Sequence, residues 1–158
     1  MRYTQSQIRE LLSISVDAFR SWRDAIPALA AHKGLAPNFT PGDVVATAIV
    51  AELVRDFGIR VGTVGHRFDQ LFRECHGKSW LSLETCVALM EADSIRLVKA
   101  GTPVRTSPDA STLCVPCGPI VSRLRSALTA TDADLAQGHL KFPPTAIGSQ
   151  TERRGRRA

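Results

Sequence analysis

Residues 40–58, TPGDVVATAIVAELVRDFG, constrain this chain more than any other stretch. Thr40 is placed to cap a helix. Pro41 suits the first helical position, because its missing N–H belongs to a set that a helix start leaves unpaired. Asp43 falls in the first turn, where the helix dipole favours a carboxylate. Val45, Ile49, Leu53 and Phe57 then recur every four residues, Ala48 and Ala51 allow close approach, and Gly58 ends the run. The pattern predicts a helix over 41–57.

Two shorter helices precede it. Thr4 and Gln7 have capping-box spacing, and Ile8, Leu11 and Leu12 fall on one face. LSIS breaks that helix, Ile14 turns inward, and Ser15 caps a second helix with Val16, Phe19 and Trp22 as its apolar positions and Ile26 after them. Arg20 and Arg23 sit among them. Two short helices joined by a tight turn form a helix-turn-helix shape. Residues 27–40, PALAAHKGLAPNFT, read as an irregular or hairpin segment, longer than most connections and for that reason a candidate for function.

Beyond Gly58 a further helix is predicted from Val61 to Cys75, with Val64, Phe68, Leu71 and Phe72 inside. The character changes after CHGKSW. Thr85–Glu91 and Ile95–Lys99 read as strands joined by a turn at Asp93–Ser94. A polar loop follows, then a third strand and a helix striped with Ile120, Val121, Leu124 and Leu128. From Thr131 the periodicity fades, and the end beyond Pro143–Pro144 reads as flexible. The expected class is α+β, with units at 1–77, 78–130 and a tail at 131–158. The second unit, with its striped helix, is the expected place for a homodimer contact or a partner protein.

The net charge of +5 is unevenly placed, since Arg153, Arg154, Arg156 and Arg157 face only Glu152 at the end of the chain. Such a tail adds sequence-independent attraction for a polyanion. No apolar run is long enough for a membrane span, and the opening MRYTQSQIRELL has no signal-peptide core, so the cytoplasm is expected. Cys114 and Cys117 make one C-x-x-C, but Cys75 and Cys86 do not supply the second pair of a zinc ribbon. The thiols read as ordinary buried groups, with a redox or small-molecule sensor as the alternative. His32, His66, His76 and His139 form no ligand pattern, and no cofactor or metal is expected. No nucleophile triad, phosphate-cradling loop or paired carboxylate motif appears, so the chain does not read as an enzyme.

Residues 3–64 resemble the DNA-binding domain of the MerR family. YTQSQIRELLSIS resembles its opening helix, and SVDAFRSWR its second, with Phe19-Arg20-Ser21-Trp22 at the core of the motif. FTPGDVV resembles the start of the third helix, and IVAELVRDFGIRVGTV the long helix, its glycine stop and the entry to the next. The resemblance implies a winged helix-turn-helix that binds double-stranded DNA. It places the second helix in the major groove and residues 26–40 as the wing. Arg20 then takes the family's basic contact position, with Ser21 beside it and Arg23 on the next turn. Lys33 lies in the wing, and Thr4, Arg2 and Arg9 are candidates for backbone contacts. Phe19 and Trp22 are expected in the core. The function implied is transcriptional regulation. Two alternatives are an excisionase-like or packaging factor of a mobile element or phage, and an adaptor without DNA affinity, the latter suggested by Asp17 and Ser21.

Overall fold

The computed structural model describes residues 1–32, 36–103 and 111–136, with backbone alone for 130–136. Seven helices and three strands are present among them: α1 (Gln5–Leu11), α2 (Val16–Ala25), α3 (Pro27–Ala30), α4 (Pro41–Phe57), α5 (Val61–Cys75), α6 (Trp80–Glu84), β1 (Cys86–Met90), β2 (Ile95–Lys99), β3 (Leu113–Pro116) and α7 (Cys117–Ala136). The class is α+β.

The predicted caps close the helices. Thr4 and Gln7 exchange bonds across the first turn of α1, as Thr40 and Asp43 do for α4, and Ser15 accepts from the Ala18 amide in α2. Each bond removes an amide that the helix start would leave unpaired. The turn between α1 and α2 holds Ser13 in the left-handed region at φ 53°, while the Ile14 amide reaches back to the Arg9 carbonyl at 2.8 Å. That is the Schellman way of ending a helix, with serine where glycine is usual.

Two glycines set how closely the helices approach. A Cβ on Gly65 would lie 2.1 Å from the Ala25 carbonyl oxygen, so α2 ends directly against α5. A Cβ on Gly42 would lie 1.8 Å from the Cys75 carbonyl oxygen, which brings the start of α4 onto the end of α5. Helix α5 departs from helical geometry at Val64, next to the first of these contacts.

The sheet is antiparallel throughout, in the order β2-β1-β3, with Ala88 opposite Leu97 on one side and Val115 on the other. Strand β2 lies at an edge, where free amides invite further pairing. Side chains of α5 occupy two of them: Ile95 donates to Gln70 Oε1 at 3.3 Å, and Leu97 to Glu74 Oε2 at 2.8 Å.

Several expectations change here. One cluster of buried side chains runs from Tyr3 and Ile8 through Ile49 and Phe68 to Ala88 and Leu124, across the boundary expected near residue 77. Helix α7 packs on α6, α4 and β1 and touches α1. Of the stripe expected to meet a second copy, Ile120, Val121 and Leu124 are buried within the chain's own core, and Leu128 is partly buried against it. Helix α7 continues to Ala136, past the fade expected at Thr131; the remaining tail lies outside the described residues. Residues 26–40 carry the short helix α3, and their described β-type pairing is between Phe39 and Tyr3 rather than within a hairpin. Val16 and Phe57, expected on apolar faces, are 53% and 56% exposed. No helix among the described residues is long and apolar enough to cross a membrane.

Candidate nucleic-acid interface

Helix α2 has two distinct sides. Phe19 and Trp22 are buried, with Ile26 buried just beyond its end, and the Phe19 ring meets Phe39 edge-on at 6.3 Å. Asp17, Arg20, Ser21 and Asp24 are exposed on the other side. The two faces follow from the 3.6-residue turn and from a strong cap at Ser15 that fixes where the turn begins.

The predicted contact residues separate into groups. Arg20 and Ser21 stand free, with no ion pair or side-chain hydrogen bond among the described residues. Arg23 is half-buried and donates to Gln5 Oε1 of α1 at 3.4 Å, rather than pairing with Asp17 or Asp24. Thr4 is occupied by its cap: its hydroxyl accepts from the Gln7 amide, and its own amide donates to Gln7 Oε1. The hydroxyl also donates to Gln7 Oε1 at 3.2 Å, so it is not a free phosphate donor. Arg2 is exposed and donates to the Asn38 carbonyl at 3.1 Å, linking the N-terminus to the segment before α4. Arg9 is half-buried, and Lys33 lies outside the described residues. Arg2 and Arg23 both lie close enough to His32 to act on its titration, so two guanidinium groups gather near that ring.

A second cluster was not legible as a unit. Asp43 is 1% exposed, and both its oxygens are used. Oδ2 accepts from the Thr40 amide at 2.7 Å and hydroxyl at 2.8 Å and faces His32 Nε2 at 3.2 Å; Oδ1 faces His76 Nδ1 at 3.0 Å. A cavity of about 330 Å³ opens beside the cluster, with Ala28, Ala31, Phe72 and Arg73 in its wall. Burial holds the His32 imidazole below its ordinary value, opposed by Asp43 and reinforced by His76, Arg2 and Arg23. The capping-box spacing points to Asp43 in the sequence. Nothing local announces that His32 and His76 converge on it from different segments.

The four thiols are free. Cys75 and Cys117 are buried, and burial raises both; Cys117 is pushed up to about 11. Cys114 is exposed, contrary to the expectation of burial, because alternate residues of a strand face opposite sides. The two cysteines of the C-x-x-C thus lie in different environments, one at the surface and one in the core. Among the described residues, no group of three or more His, Cys, Asp or Glu side chains is placed to hold a metal ion.

No protein-family model, curated protein or solved structure matches the chain.

Proposed function

We propose that this protein binds double-stranded DNA through α2, in the manner of a MerR-like transcriptional regulator. The observation that carries the reading is the two-sided α2: Phe19 and Trp22 anchor it, while Arg20 and Ser21 project outward without partners. A helix held in this way presents side chains to a major groove, where Arg reads guanine O6 and N7. Arg23 and Arg2 add positive charge near it, suited to phosphates along the groove edge. Selection of bound molecules from a random duplex pool tests the proposal. Arg20→Ala is expected to weaken binding to the selected site by about 1–3 kcal/mol. An isotherm unchanged by that substitution removes α2 from the interface.

A second reading is a protein-interaction adaptor. The exposed carboxylates of Asp17 and Asp24 favour it, because they flank Arg20 on the same face and repel phosphate. In that case the protein shows no salt-dependent affinity for any duplex.

A further inference from the structure

We propose that His32, Asp43 and His76 form a proton-operated latch, which holds the Tyr3–Phe39 pairing closed near neutral pH and releases it in acid. A carboxylate as buried as Asp43 is costly unless its oxygens are satisfied. Two of its partners are imidazoles, 11 residues before it and 33 after it. An ionised carboxylate only accepts, so the bonded arrangement puts a proton on His32 Nε2 and on His76 Nδ1. Both rings can satisfy Asp43 in their neutral form.

His32 connects this carboxylate to the N-terminus. Its ring packs edge-on against Phe39 with centroids 4.3 Å apart. Phe39 in turn exchanges two backbone hydrogen bonds with Tyr3, of 2.9 and 3.1 Å. Loss of His32 from its place removes one wall of the Phe39 site, next to the only two bonds of that bridge.

The charges around His32 decide which way a proton acts. Helix α4 supplies Asp43. The end of α5 supplies His76, while Arg73 on the same cavity wall is paired with the Asp69 carboxylate of its own helix. Arg2 acts from the N-terminus and Arg23 from α2, while α3 and its end contribute Ala28 and Ala31, with nothing to titrate. The His32 side chain is 15% exposed and that of His76 is 56% exposed. A charge on the buried His32 ring would be poorly solvated and would face the guanidinium groups of Arg2 and Arg23 as well as the single carboxylate of Asp43.

The closed state therefore prefers neutral His32, and its stability is full above the open-state imidazole value and lost as pH falls toward the lower closed-state value. With an open-state value of about 6.5, opening rises by at most about tenfold at about pH 5.5. The latch does not rest on DNA binding, and its test contains no duplex.

Hydrogen exchange at the Tyr3 and Phe39 amides reads it directly. Corrected for intrinsic rates, protection at these two amides is expected to fall several-fold between about pH 7.5 and pH 5.5, while that of Ile49 within α4 holds. His32→Gln keeps an N–H for Asp43 but does not titrate, and its protection is expected to stay flat. An unchanged wild type, or an equal fall in the variant, overturns the proposal. An NMR titration of wild-type His32 supplies a reading that needs no variant: a midpoint at or above the ordinary histidine value also overturns it.

Discussion

Trp22 and Arg20 are two residues apart and have opposite roles, which helical geometry alone explains. Trp22 is 7% exposed beside a fully buried Phe19. Trp22→Ala is expected to lower stability by about 3–5 kcal/mol, read as a shifted denaturation midpoint, while Arg20→Ala leaves the midpoint nearly in place. The spacing of Phe19 and Trp22 was legible. The exposure of Val16, 53%, was not: it is the first residue of α2, and its place in the apolar spacing does not show whether any neighbour covers it. Gly65 was equally silent: within a helical pattern it reads as a weak point, and only the Ala25 carbonyl against it shows why a side chain is excluded. Gly65→Ala is expected to force α2 and α5 apart and lower the thermal midpoint, although alanine has the higher helix propensity.

The elements that the sequence showed are those stabilised by their own residues. Helices α1, α2 and α4 carry side-chain caps within one turn, and β1 and β2 fall inside or on the expected strands. Helix α3 is different, since its four residues cannot hold themselves together. The buried Asp69 carboxylate of α5 accepts the Ala28 amide at 2.7 Å, across 41 residues of sequence, and also binds Arg73. Asp69→Ala is expected to cost about 1–3 kcal/mol, because the Ala28 amide is left without its partner. Arg73→Ala is expected to cost less than about 1 kcal/mol, since the Arg73 side chain is largely in water. Urea denaturation of the two variants separates these outcomes. Helix α6 was missed for a related reason. It has five residues, and its Trp80 is fixed from outside by a bond from Nε1 to the Pro41 carbonyl at 2.8 Å and by stacking on Tyr3.

At the scale of the whole molecule, the two halves of the sequence look unlike each other yet share one buried cluster. The helical pattern ends near residue 77 and the strand pattern begins soon after, which suggested a boundary. The structure joins the two across it: α7 lies on α4, the sheet rests on α5, and Arg123 pairs with Glu52 from one half to the other. A chain ending at residue 78 would lose Leu83, Ile120, Val121 and Leu124, all buried in that cluster, and would open faces of α4 and α5 to water. Each such side chain stabilises by about 1.5–3 kcal/mol when buried, so four of them approach the whole stability of a typical domain. Circular dichroism of residues 1–78 is therefore expected to show no cooperative melt. A melt close to that of the full chain would mean that the first half folds alone and the shared cluster adds little. Leu124→Ala in the full chain distinguishes an internal stripe from one that meets a second copy. The expected loss is about 2–5 kcal/mol, equal at low and high protein concentration, because the leucine is buried within its own chain, beside residues of α4. A loss that shrank as concentration rose would place Leu124 in a subunit contact instead.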